Sequence, residues 1–238
     1  MGQAPSLARD HLAIALDVPT PDEAVSLARA VALHVGVVKV GLELFVGAGP
    51  SVVRAVSSGD QRVFLDLKLH DIPETVARAV DRAAALGVSF LTLHAGGGRA
   101  MMEAAARAAR GSELKLLAVT ALTSLDHDAL LEVGVDRPLE DHVVGLARLA
   151  AASGIDGLVA SAREVARLRA ELPAAFVVTP GIRPGGKLAR DDQARVATPR
   201  GAIRDGSSLL VVGRPLRDAP DRAAAARALH DEVAEALG

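Results

Sequence analysis

The chain has 238 residues, a formal net charge of −2, no cysteine, no Trp, no Tyr and four Phe, and half of it is hydrophobic. The near-neutral charge gives no electrostatic footprint for nucleic acid. The lack of cysteine excludes a disulfide framework, a thiolate nucleophile and a thiolate metal site. No apolar run approaches the ~20 residues of a membrane span. The first five residues lack a basic segment leading into an apolar core, so no signal peptide is expected and the chain reads as a soluble cytoplasmic protein.

Eight short apolar runs follow in order, at 12–16, 36–40, 63–67, 90–93, 114–119, 157–159, 175–178 and 208–212. Runs this apolar suit parallel strands covered on both faces. Helical patterns separate them at 21–33, 50–57, 73–86, 99–110, 139–153, 162–171 and 218–237. A short helix and a loop interrupt the fifth unit over 124–137, and the first ten residues read as a loose lead-in. Alternating strands and helices at this length predict one (β/α)₈ (TIM) barrel domain over 1–238. A doubly wound sheet is disfavoured, because no glycine fingerprint follows the first strand.

Polar or glycine-bearing groups close the strands: Asp17, Lys39, Asp66 with Lys68, His94, Thr120 with Thr123, Ser161, residues 180–183, and Gly213 with Arg214. In (β/α)₈ enzymes the strand C-termini surround the active site, so these groups are expected around one mouth. The third strand carries the densest chemistry. Asp66 and Lys68 share one face of it, and Leu65, Leu67 and Leu69 share the other. Asp71 follows at once, and Pro73 sits where a helix should start. An ammonium between two carboxylates is held protonated, and a crowded carboxylate resists a substrate anion. Such a group delivers a proton where negative charge develops.

The string Asp66-x-Lys68-x-x-Asp71-Ile72-Pro73-x-Thr75 resembles the signature of the orotidine 5′-monophosphate decarboxylases. The related 3-keto-gulonate-6-phosphate decarboxylases share its Asp-x-Lys-x-x-Asp core. Lys39 separates the two: the orotidine enzymes are similar in placing a lysine there, whereas the relatives place an acidic residue that helps hold magnesium. The resemblance runs from Asp17 to Arg214 and implies decarboxylation of orotidine 5′-monophosphate to uridine 5′-monophosphate without metal or organic cofactor. It implies a Lys39–Asp66–Lys68–Asp71 array with Lys68 as proton donor to C6. It also implies nucleotide contacts from Asp17, Lys39, Asp66, Lys68, Asp71, Ile72, Thr75, Thr123, Pro180, Arg183, Gln193, Gly213 and Arg214. A homodimer is implied too, with Asp71 and Thr75 reaching the partner's site.

The loops after the seventh and eighth strands, 179–186 and 211–215, combine glycine with Arg183 and Arg214, as barrel phosphate sites do. The polar stretch 185–193 reads as a lid over the phosphate. The loop 94–98 is a weaker phosphate cradle, since its glycines also serve a plain strand-to-helix turn. His94 has no second histidine at ligand spacing, so zinc is not expected. Two rivals remain: a magnesium-dependent sugar-phosphate decarboxylase, and a silent nucleotide-binding barrel.

Overall fold

The computed structural model describes residues 8–57, 59–186 and 196–238. Its strands are β1 (Leu12–Ala15), β2 (Val37–Val40), β3 (Arg62–Leu69), β4 (Phe90–His94), β5 (Lys115–Val119), β6 (Gly157–Val159), β7 (Phe176–Thr179) and β8 (Leu209–Val212). They pair parallel in sequence order, and β8 closes on β1, giving a closed (β/α)₈ barrel as expected. The helices are α1 (Pro21–Val31), α2 (Leu42–Ala48), α3 (Pro50–Val56), α4 (Pro73–Ala85), α5 (Gly98–Ala108), α6 (His127–Glu132), α7 (Leu139–Ala152), α8 (Ala162–Glu171), α9 (Pro199–Arg204), α10 (Arg214–Arg217) and α11 (Arg222–Leu237).

Alternation along the strands builds two apolar layers. Inward-facing Ala13, Ala15, Val37, Phe64, Phe90, Leu117, Val178, Leu209 and Val211 pack on one another inside the barrel. Their neighbours, such as Leu12, Ile14, Val38, Leu65, Leu91 and Leu116, pack outward against the helices. Phe64 meets Phe90 edge-on at 5.9 Å between ring centroids, and Phe90 stacks on Phe176 at 5.6 Å. Three of the four Phe residues therefore fill the barrel interior and form a base beneath the mouth.

Helix starts follow local capping rules. Proline opens α1, α3, α4, α9 and α10 in their first turns. Ser161 and Glu164 form a reciprocal capping box on α8. The lead-in corrects an expectation. Residues 8–10 are not loose: Ala8–His11 forms a 3₁₀ turn across the barrel floor, and Ala8 is buried. Gly36 donates its N–H to Arg9 O at 2.7 Å, and a Cβ on Gly36 would itself lie 2.7 Å from that oxygen. Only glycine fits that approach without displacing backbone. Three helices were not anticipated: α2, α9 and α10. The last expected helix begins at Arg222 rather than at 218, because Asp221 caps it by accepting from Ala224 N.

Candidate active site

The same alternation that hides Val37 and Phe64 carries Lys39 and Asp66 inward one layer higher, at the C-terminal ends of β2 and β3. Asp17 follows inward-facing Ala15 by two residues, just past β1. These side chains line a mouth pocket of about 470 Å³, together with Lys68, Thr123, Pro180, Arg183, Gly213 and Arg214. Its base is apolar, with Phe64, Val119, Val159, Val178 and Val211. One cavity thus brings together nine of the anticipated site residues.

The charges alternate. Lys39 Nζ lies 3.4 Å from Asp17 Oδ1 and 3.4 Å from Asp66 Oδ2, and Lys68 Nζ lies 2.9 Å from Asp66 Oδ1. Lys39 and Asp66 side chains are only 11% and 13% exposed, so water screens this pairing weakly. Burial pushes the Asp66 carboxyl up, but the charges of Lys39 and Lys68 and hydrogen bonds from Lys68 and Thr92 outweigh it. Asp66 is therefore held below its ordinary value of 3.8. The Asp17 and Asp66 carboxylates converge on the Lys39 ammonium, which stands where a cation bound between them would sit. Among the described residues, no group of three or more His, Cys, Asp and Glu side chains is arranged to hold a metal ion.

Lys68 is the one non-glycine residue with positive φ among the described residues, at 49°. That conformation costs roughly 1–2 kcal/mol for an ordinary side chain. It coincides with a break in the β3–β4 ladder: Leu65 pairs Leu91, but Leu69 pairs Leu93. Two extra residues of β3 are accommodated there, as in a bulge that re-aims a side chain. The displaced Lys68 N–H donates to Thr92 Oγ1 at 2.8 Å, and Thr92 Oγ1 donates to Asp66 Oδ1 at 2.9 Å. The sequence reading missed Thr92. The available signal was a lone hydroxyl two residues beyond Phe90, on the inward face of a strand that is otherwise apolar up to His94.

Asp71, Ile72 and Thr75 are not brought to the pocket within one chain. All three are exposed, Ile72 at 68%. Asp71 Oδ1 accepts from Ile72 N at 2.6 Å, and among the described residues Asp71 makes no ion pair with Lys68. The charge that completes the alternating series within the chain is Asp17, at the far end from Lys68.

The opposite side of the pocket is cationic. Arg183 is buried, and its Nη1 donates to Ile182 O at 2.9 Å. The 181–183 backbone is tied to Ala197 by Arg183 N→Ala197 O (2.8 Å) and Ala197 N→Gly181 O (3.2 Å). Gly213 follows β8 and precedes Arg214, the first residue of α10. Arg217 is a second omission of the sequence reading. It lines the pocket, donates to Asp17 O at 3.1 Å and pairs with Asp218. Gln193 and most of the 185–193 stretch lie outside the described residues.

Three other strand-end groups do not line the pocket. Thr120 donates to Val159 O, and Ser161 caps α8. His94 accepts from Gly96 N through Nδ1 and stacks on His70 at 5.2 Å. Burial, then His70, His142 and Lys68, depress its basicity below the ordinary 6.5. The loop 94–98 is thus a helix-entry turn beside the site.

The sequence model of the family "Orotidine 5′-phosphate decarboxylase / HUMPS" matches residues 10–229. An orotidine 5′-phosphate decarboxylase from Anaeromyxobacter sp. strain K is 55% identical over 221 residues, covering 92% of this chain and 96% of that protein. One from Moorella thermoacetica is 48% identical over 235 residues, covering 95% and 93%. The crystal structure of orotidine 5′-phosphate decarboxylase from Lactobacillus acidophilus superposes with a TM-score of 0.83 at 38% identity, covering 93% of this chain and 98% of that one. The chain belongs to the orotidine 5′-phosphate decarboxylase / HUMPS family.

Proposed function

We propose that this enzyme decarboxylates orotidine 5′-monophosphate to uridine 5′-monophosphate without metal or cofactor, with Lys68 as the proton donor to C6. The observation that carries the reading is one pocket with Lys68 Nζ, paired to Asp66 at 2.9 Å, on one side and Arg183 and Arg214 on the other. Loss of carbon dioxide from C6 leaves a carbanion with no adjacent π system to accept its charge. A fixed ammonium at that point lowers the barrier electrostatically and then supplies the proton. The Asp66 carboxylate, held ionised, orients Lys68 and crowds the substrate carboxylate. Lys39 holds Asp66 and Asp17, and Asp17 offers acceptors suited to ribose hydroxyls. The arginines bind the phosphate, where a guanidinium fork suits phosphate oxygens. Metal independence draws support from Lys39, whose ammonium fills the position between Asp17 and Asp66.

The reading includes a cytoplasmic homodimer in which Asp71 and Thr75 complete the partner's site. Its support is their exposure, together with exposed Leu42 and Val46 on α2, which follows the neighbouring strand β2. Leu42 and Val46 stand four residues apart on one face of α2, and such exposed apolar side chains favour a partner surface. The experiment is subunit mixing. Inactive Lys68→Ala and Asp71→Asn homodimers are allowed to exchange, which gives heterodimers with one intact composite site. Activity should return to about half the wild-type value per heterodimer if the two sites are independent. Exchange seen by mass spectrometry without activity would show that Asp71 serves its own chain.

A further inference from the structure

The strongest unassigned feature is a closed circuit behind the array. Thr92 Oγ1 accepts from Lys68 N and donates to Asp66 Oδ1, and that same oxygen accepts from Lys68 Nζ. A hydroxyl has one proton, so accepting from the Lys68 amide leaves that proton for the carboxylate. Thr92 is fully buried, and so fixes both ends of the circuit from a position no substrate reaches. It also stands opposite the break in the β3–β4 ladder, where Lys68 adopts its left-handed backbone conformation. Without the hydroxyl, the Lys68 N–H would lose its acceptor and Asp66 one of its donors, in a site that water screens weakly.

We infer that Thr92 is a positioning residue for the reaction, fixing the Asp66 carboxylate and the Lys68 backbone in the one geometry that aims the ammonium into the pocket. The inference rests on the decarboxylase reading above. It assigns Thr92 no contact with substrate. Its removal should therefore act on turnover and leave the anion-binding side of the pocket alone.

The test is steady-state kinetics of purified full-length wild type, Thr92→Val, Thr92→Ala and Thr92→Ser on orotidine 5′-monophosphate, with folding checked by circular dichroism. Thr92→Val keeps the volume and removes the hydroxyl; its kcat should fall about 10- to 100-fold while KM stays within about threefold. The acid limb of its kcat profile should move to higher pH, because Asp66 loses a hydrogen bond that favours its ionised form. Thr92→Ser keeps the hydroxyl and should restore kcat to within about threefold of wild type. Wild-type kcat and an unmoved acid limb in Thr92→Val would overturn the assignment. If Thr92→Val does not fold, the Ala and Ser variants decide: Ser near wild type with Ala depressed supports it, and equal kcat for the two overturns it. No turnover by wild type would instead overturn the decarboxylase reading, and this inference with it.

Discussion

At the floor of the barrel, a cation is spread over neutral partners. Arg169 of α8 donates to Gly206 O, Pro173 O, Ala175 O and Ser208 Oγ at 2.7, 2.9, 2.6 and 2.8 Å, tying the entrances of β7 and β8. Gly206, with φ 104°, has no room for a Cβ, which would meet Arg169 at 2.7 Å. At the mouth the cations Lys39 and Lys68 meet carboxylates instead, and Lys68 holds a left-handed backbone. Neutral carbonyls satisfy a guanidinium and lock the fold. Alternating full charges over an apolar base satisfy one another only in part and keep a field directed into the cavity. Among the described residues, the one left-handed non-glycine backbone and the buried alternating charges lie together at the mouth, as expected where structure serves chemistry rather than stability.

Substitutions at the two ends should therefore separate activity from stability. Lys68→Ala should lower kcat by at least about 10³-fold, since the proposed mechanism makes Lys68 both the fixed charge and the proton donor. Its urea midpoint should stay close to wild type, because the side chain is a third exposed and Asp66 keeps Lys39. Arg169→Met should do the reverse. A loss of about 2–4 kcal/mol in unfolding free energy is expected from the orphaned carbonyls, with kcat of the folded enzyme little changed. A large kcat loss in Arg169→Met, or near wild-type turnover in Lys68→Ala, would break the division.

Within the mouth, Arg214→Ala should sharpen the contrast between its two sides. Loss of one charge-assisted contact, about 1.5–3 kcal/mol, should weaken uridine 5′-monophosphate about 10- to 150-fold and uridine little. Equal losses for both ligands in calorimetry would make Arg214 structural. The smallest expected effect is on acid stability. Asp66 is depressed below 3.8 in the folded chain and regains its ordinary value when unfolded. Its stabilisation is complete above the unfolded value and lost as pH falls through the folded one. Asp66→Asn should flatten that part of a urea-midpoint profile against pH, and an unchanged slope would assign acid unfolding to other groups.

The sequence made the barrel legible because its strands are short apolar runs, and it made Lys39 and Asp66 legible because alternation carries them inward with Val37 and Phe64. Helices α2, α9 and α10 were obscure for local reasons. Gly47 and Gly49 weaken the helical signal of α2, whose N-cap Gly41 makes no side-chain bond, and α9 and α10 are six and four residues long. Thr92 was hidden by a different cause. Its role depends on a two-residue irregularity between β3 and β4, a property of pairing that neither strand's own residues encode. Arg217 is obscure in the sequence because the final helical pattern starts at 218, which leaves the preceding turn without an assigned direction.

The most direct test of the central claim follows the orotate absorbance band of orotidine 5′-monophosphate after addition of purified wild type in excess EDTA. The absence of Trp and Tyr keeps that optical window clear. Complete loss of the band is expected, at the same rate with and without the chelator. A band that persists, or that disappears only when a divalent cation is restored, would contradict it.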